Sequence, residues 1–349
     1  MKRCAAMCLL SAILLCGCAF SGNPGTSGNP DSGYTQFERA EYTLFDTVTE
    51  IRGFAEDEES FRKETDVLLN ELKEYHELFD IYHEYDGVTN LKTINDRAGK
   101  EAVQADARLI AFLLYCKDIY GMTKGRVDVT LGPVIALWEE ERIHALAHPE
   151  EAGVPEEAAL LEAQRHTGWE HVRIDEEAGT VFLTDEKASL NAGALAKGYA
   201  VSRVMERAPD GYLINVGGNV AVSGEKKTGE AWVIGIRDPD GDRNGFLRTV
   251  EIRSGAVVSS GDYERYYMVN DTRYHHIIDP ETLYPGTIWR GVSVICEDAD
   301  KADALSTAVF LMSPGEAEAL LAQTGAEAVM IDAEGELFYT EGFPLFLKK

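Results

Sequence analysis

The sequence predicts an α+β fold: a single compact domain of mixed, largely antiparallel sheet with flanking helices. Helical and strand patterns are mixed along the chain without the regular alternation of a βαβ array, which disfavours a doubly wound sheet. Many of the strand segments are short and separated by turn chemistry, as in antiparallel hairpins. No stretch between residues 41 and 346 has the composition of a linker, so one unit serves the whole region. The 349 residues, 45% of them hydrophobic, suffice for one large core.

The N-terminus reads as a leader. Lys2 and Arg3 precede an apolar run from Cys4 to Leu15, too short to span a bilayer and shaped like a secretory signal. It ends Leu15-Cys16-Gly17-Cys18, which resembles a bacterial lipobox. Residues 1–17 are then a lipoprotein signal peptide, and Cys18 is the lipidated residue of the mature chain; a cleavable signal without lipid is the alternative. Residues 18–40, rich in Gly, Ser, Asn and Pro, read as a flexible tether with an end-to-end distance of roughly 20–25 Å. The expected location is extracytoplasmic, lipid-anchored to the bacterial cell membrane, with residues 41–349 as the folded domain. Of the six cysteines, only Cys116 and Cys296 fall in that domain. Both lie in apolar runs, which favours buried free thiols over a disulfide.

Within the domain, EYTLFDTVTEIR (41–52) alternates as a strand does, and residues 57–80 form an amphipathic helix. DARLIAFLLYCKDIYGMTKG (106–125) is a second helix, closed by glycine. GPVIALWEEERIHAL is a third, and PEEAALLEAQRHTG a fourth with Pro155 in its first turn. HVRIDEEAGTVFLTD reads as a hairpin, and Ser189–Met205 as a helix. Strands follow in YLINVGGNVAVSG, AWVIGIRDP, RTVEIRSGAVVSSG, RYYMVN and GVSVICE, then helices from Lys301 and Pro314, then strands EAVMID and ELFYT.

The formal net charge of −27 argues against a nucleic-acid partner, which needs a basic footprint. An anionic ligand would have to be held by local devices: a helix N-terminus, a few cations or a divalent metal. SLNAGALAKGYA (189–200) has that character. Gly193 and Gly198 each cost about 1 kcal/mol in a helix relative to alanine, and Lys197 stands among side chains too short to partner it. Either the helix packs closely on a neighbour, or something anionic lies against its N–H groups.

In DADKADALSTAVFLM (298–312), Asp303 and Thr307 share a helix face, with Asp300 three residues before. A carboxylate and a hydroxyl so stacked suit Mg²⁺; a solvated acidic first turn is the plain alternative. NVGGNV (215–220) marks either a close backbone approach or a β-turn. His275 and His276, on an alternating strand, point to opposite faces, so at most one meets a given site. VDVT, with Asp128 and Thr130, is a strand-like run before a helix: a capped start or a pocket wall. Phe79, Tyr82 and Tyr85 form an aromatic cluster beside a helix end.

Together these stretches resemble the FAD:protein FMN transferase family, the ApbE-type flavin transferases. The resemblance covers about residues 41–340 and rests on FDT, TNLKTIN, VDVTLGP with LW, NAGALAKGYA, LINVGGNV, SSGDYERY, HIIDP and ADALSTAVFLM, in the family's order. It implies an enzyme that uses Mg²⁺ to split the FAD pyrophosphate, passes FMN to a Thr or Ser hydroxyl of an acceptor protein, and releases AMP. By that resemblance Asp303 and Thr307 supply metal oxygens, and Ala194 a third through its carbonyl. Phe45, Tyr82, Val127, Asp128, Val129, Asn191, Lys197, His276 and Ile277 contact FAD. His276 and Asp303 are the catalytic candidates; the hydroxyl proton goes to His276, to a carboxylate near the metal or to a metal-coordinated group, and the sequence does not choose among them. The acceptor would be an extracytoplasmic or membrane-anchored protein carrying an Asp-x-x-(Ser/Thr)-Gly-Ala-type motif; this chain has no clear copy, so self-modification is not expected. Two alternatives stay open: a Mg²⁺-dependent FAD pyrophosphatase giving FMN and AMP, and a non-catalytic flavin-binding lipoprotein.

Overall fold

The computed structural model describes residues 33–241 and 245–349; the signal peptide, Cys18 and most of the tether lie outside them. Strands β1 (Thr35–Glu41) and β2 (Thr49–Ala55) form a hairpin, followed by helices α1 (Glu58–Phe79) and α2 (Leu91–Asp96). Then come β3 (Val103–Gln104), α3 (Ala107–Met122), α4 (Gly132–Ala147), α5 (Glu157–Gln164) and the hairpin β4 (Val172–Asp175) and β5 (Thr180–Leu183). Helix α6 (Ala196–Met205) leads into β6 (Tyr212–Val216), β7 (Asn219–Val222), β8 (Trp232–Arg237), β9 (Phe246–Ile252) and β10 (Gly255–Gly261). The chain closes with β11 (Tyr266–Val269), β12 (Thr272–His275), β13 (Trp289–Cys296), α7 (Ala299–Phe310), α8 (Pro314–Thr324), β14 (Glu327–Asp332) and β15 (Leu337–Tyr339).

Eight strands make one sheet in the order β1-β2-β6-β7-β10-β13-β14-β15, and every neighbouring pair is antiparallel. Both faces are buried. Ile214, Val258 and Val294 join the core under α1, α3, α6 and α7. Their neighbours Leu213, Val257 and Ile295 pack on Trp232, Ile234 and Val250 of the β8–β9 hairpin. That explains why β6 and β7 are apolar almost throughout instead of alternating with polar residues. On α4, Trp138 stacks on Tyr274 of β12 with ring centroids 5.6 Å apart and donates to the Leu283 carbonyl at 2.9 Å. That contact ties the β11–β12 hairpin to the helical layer.

The α+β, antiparallel reading therefore holds, with local corrections. Residues 35–40, read as tether, are strand: they pair along their length with β2, and Phe37 stacks on Phe61. Leu44–Thr47, read inside a strand, is a turn closed by Thr47 N–H on the Leu44 carbonyl at 3.2 Å. Helix α2, missed in the sequence, is a six-residue piece held by a capping box between Asn90 and Thr93. Val129–Leu131 is a 3₁₀ turn, not a strand. Pro155 lies just before α5, whose N-cap is Glu156. Gly217 and Gly218 make the two-residue turn between β6 and β7, with φ of 55° and 93° that only glycine adopts freely. Cys116 and Cys296 are free thiols. Among the described residues, no helix is long and apolar enough to cross a membrane.

Candidate active site

Helices α6 and α7 meet where a side chain is missing. A Cβ on Gly198 would stand 2.3 Å from the Asp303 Cβ and 2.8 Å from the Ala299 carbonyl oxygen. The gap lets the Gly198 N–H donate to Asp303 Oδ2 at 2.8 Å. From the sheet, the Asn219 amide, turned with its nitrogen toward Asp303, reaches both carboxylate oxygens at 3.2 Å. Asp303 is 5% exposed. Burial pushes its carboxyl above the usual range, opposed first by the Lys197 charge and then by the Gly198 N–H.

Both readings of the small-residue stretch are thus realised in part. Gly198 packs closely, and the anion against its N–H is the protein's own Asp303. The helix itself starts at Ala196, not Ser189. Before it, Leu190 pairs with the Asn95 side chain through both backbone groups, at 2.8 and 3.0 Å, and Asn191 N–H bonds the Val129 carbonyl at 2.8 Å. These long-range bonds hold the segment extended and override its helical composition. Because Gly198 N–H turns to Asp303, the Ala194 carbonyl has no hydrogen-bond partner among the described residues.

Thr307 lies one turn beyond Asp303 on α7, half-buried, its hydroxyl 3.5 Å from Ser260 Oγ. Ser260 is better bound to Ser306 at 2.8 Å, and Ser306 donates to the Asp303 carbonyl at 3.0 Å. A charged oxygen, a lightly engaged hydroxyl and an open carbonyl form a hard donor set that suits Mg²⁺. Among the described residues, no group of three His, Cys, Asp or Glu could hold a metal, so a site here draws on these other oxygens. Asp300 is occupied elsewhere: it accepts from Arg203 Nη2 at 3.2 Å and from Lys301 N–H at 2.7 Å.

The two histidines divide as β12 dictates. His275 is buried, its Nδ1 accepting from Ile277 N–H at 3.2 Å and its Nε2 facing the Gly286 carbonyl at 2.7 Å. It is a structural clamp. His276 turns the other way and is open to solvent, yet it lies in a recess. Desolvation by the surrounding protein, then Arg265, His275 and Lys197, hold its imidazole well below the usual histidine range. The neutral ring keeps one nitrogen as an acceptor, while the same surroundings weaken it as a base. Lys197 and Arg265 make no ion pair within 4.0 Å among the described residues. Both cations act on the His276 ring, which brings two positive charges to one recess of a strongly acidic protein.

The aromatic wall is Phe45, on the Leu44–Thr47 turn, and Tyr82, half-exposed, whose hydroxyl donates to Glu139 Oε2 of α4 at 2.8 Å. Arg265 lies close enough to act on both Tyr82 and His276. Val127 and Val129 turn their side chains into the core, so that segment offers backbone and the Asp128 carboxylate. Asp128 caps the 3₁₀ turn, accepting from Thr130 N–H at 2.8 Å and Thr130 Oγ1 at 2.7 Å. Ile277 is buried and holds the Gly286 N–H at its carbonyl, 3.0 Å away.

A model described as the ApbE family matches residues 45–330 of this chain. The chain belongs to the ApbE family. The FAD:protein FMN transferase of Treponema pallidum (strain Nichols) is 32% identical over 260 residues, covering 69% of this chain and 70% of that protein. That of Klebsiella pneumoniae (strain 342) is 30% identical over 233 residues, 64% and 65% of the two chains. The match thus spans about two thirds of the length of these relatives. The crystal structure of the ApbE protein from Thermotoga maritima MSB8 superposes with a TM-score of 0.77 at 30% identity, covering 90% of this chain and 100% of that one.

Within this ApbE domain, Asp303, Thr307, Lys197 and Ala194 gather at the α6–α7 crossing. Lys197 is felt at His276, Arg265 joins His276 to Tyr82, and the Asn191 backbone is pinned to Val129. Asn219, Ser306 and Arg265 were not singled out from the sequence as site residues. Asn219 carried a signal, a polar residue at the start of an apolar strand; Arg265 carried none beyond its place in SSGDYERY.

Proposed function

We propose that this ApbE protein is a Mg²⁺-dependent FAD:protein FMN transferase, lipid-anchored through Cys18 outside the cytoplasm. The observation that carries the reading is the buried Asp303 carboxylate, fixed by Gly198 and Asn219 and faced by the Lys197 charge. The names of the relatives support the flavin chemistry.

Asp303 Oδ1 and Oδ2, Thr307 Oγ1 and the Ala194 carbonyl would hold the metal. Bound there, Mg²⁺ would neutralise charge on the pyrophosphate oxygens as a Lewis acid. Phe45 and Tyr82 flank the isoalloxazine ring, while Asn191 and the 127–129 backbone line the rest of FAD. Lys197 and Arg265 draw in the pyrophosphate and stabilise the charge that builds on it. The acceptor's Thr or Ser oxygen attacks the phosphorus on the FMN side and forms the phosphodiester. The bond to the AMP phosphate breaks, AMP leaves, and the hydroxyl proton passes to the neutral His276 ring. The acceptor is a protein exposing an Asp-x-x-(Ser/Thr)-Gly-Ala-type segment.

The test is mass spectrometry of protein, FAD, Mg²⁺ and an acceptor domain, with and without EDTA. A metal-dependent gain of one FMN unit on the acceptor, with free AMP, is expected. FMN and AMP in solution over an unmodified acceptor would make it a pyrophosphatase; intact bound FAD without products would make it a binding protein.

A further inference from the structure

We propose that Asp80, Tyr85 and His76 form a positioning relay that sets the two aromatic walls of the site, Phe45 and Tyr82; this rests on the flavin reading above. Phe45 and Asp46 both lie in the left-handed region, with φ of 53° and 52°. For residues with a Cβ, that conformation costs about 1 kcal/mol or more each and persists only where the surroundings impose it. What imposes it on Phe45 is His76, on the neighbouring α1. The Phe45 N–H donates to His76 Nδ1 at 3.2 Å, and the two rings meet edge to face with centroids 5.4 Å apart.

A ring whose Nδ1 accepts must carry its proton on Nε2. His76 Nε2 lies 3.2 Å from the Tyr85 hydroxyl, which in turn donates to Asp80 Oδ2 at 2.7 Å. Polarity thus runs one way, from His76 through Tyr85 to the carboxylate. Asp80 is 8% exposed and also accepts from Tyr82 N–H at 2.6 Å and His83 N–H at 3.1 Å. Burial works to raise its carboxyl; the N–H of Tyr82, the Tyr85 hydroxyl and His83 together hold it below the usual range. One carboxylate therefore anchors the Tyr82 backbone directly and the Phe45 backbone through two side chains. Tyr85 belongs to HEYDGV (83–88), so that loop braces the turn opposite it.

The experiment uses the full-length protein. Amide exchange at Phe45 is measured without flavin, and steady-state kinetics are measured with FAD. Tyr85→Phe keeps the ring and removes the linking hydroxyl. It should speed exchange at Phe45 and raise KM for FAD about tenfold, equivalent to about 1.4 kcal/mol, with kcat little changed. His76→Asn, which keeps an acceptor near the place of Nδ1, should restore most of the protection that His76→Ala loses. Unchanged exchange and KM in Tyr85→Phe, or a fall in kcat at constant KM, would overturn the relay. If wild-type protein neither binds nor turns over FAD but Tyr85→Phe still speeds exchange at Phe45, the flavin reading fails and the brace stands.

Discussion

Asp303 is a buried acid held by hydrogen-bond donors and faced by a cation that makes no ion pair with it. Asp303→Asn preserves size and can still accept from Gly198 N–H, while Asn219 can turn its amide over. If the oxygen set is a metal site, turnover falls at least about a hundredfold while the melting temperature holds. Initial rates against Mg²⁺ concentration and a thermal melt check this, and a near-normal rate would remove Asp303 from the site. His275 makes a different prediction. Burial, outweighing the Gly286 carbonyl and Asp262, keeps its imidazole below the ordinary 6.5. As pH falls, the unfolded chain takes up that proton first. The stability is full above about pH 6.5 and is lost as pH drops through the folded value. Urea unfolding between about pH 5 and 8 should show this slope, and His275→Gln should flatten it at a cost of about 1–3 kcal/mol at the upper end.

Helices α6 and α7 act as one element because glycine replaces a side chain at their crossing. Alanine in a helix interior ordinarily gains about 1 kcal/mol over glycine. At Gly198 the sign should reverse, since the added Cβ meets Asp303 and the Ala299 carbonyl; a loss of about 1–3 kcal/mol is expected, with activity falling as Asp303 is displaced. Gly121, on an open face of α3 with nothing within 4 Å of its Cβ position, is the control. There, alanine should stabilise by about 0.5–1 kcal/mol. Paired melts of the two variants test the contrast, and equal effects would refute it. This crossing also shows what the sequence could and could not disclose. The 3.6-residue period put Asp303 and Thr307 on one face, and the period of two sent His275 and His276 apart. The start of α6 was not legible, because the bonds from Asn95 and Val129 that hold residues 190–191 extended come from remote parts of the chain. The same holds for Asn219, whose partner lies on α7.

Across the whole molecule, one antiparallel sheet buried on both sides carries the site on its helical face, and the β8–β9 hairpin seals the other. Short strand runs separated by turns announced that sheet, but their order did not follow from the sequence, since β10 pairs with β7 and β13 across intervening hairpins. The N-terminal segment acts at this scale too. If Cys18 carries lipid, Cys18→Ala should release the protein from the membrane fraction and abolish fatty-acid labelling, leaving FAD turnover by the released domain unchanged; labelling that persists would place the anchor elsewhere. If Lys197 and Arg265 draw in the pyrophosphate, high salt should weaken FAD binding more than it weakens the fold.

The bond between Gly198 and Asp303 joins residues 105 positions apart, and Asn219 enters from the strand between them. No fragment ending before α7 can own this centre, however well its own helices form. A chain still emerging from a ribosome therefore lacks this arrangement until almost its last helix arrives. The arrangement is a coincidence detector for long-range assembly: it exists only once α6, β7 and α7 have all come together.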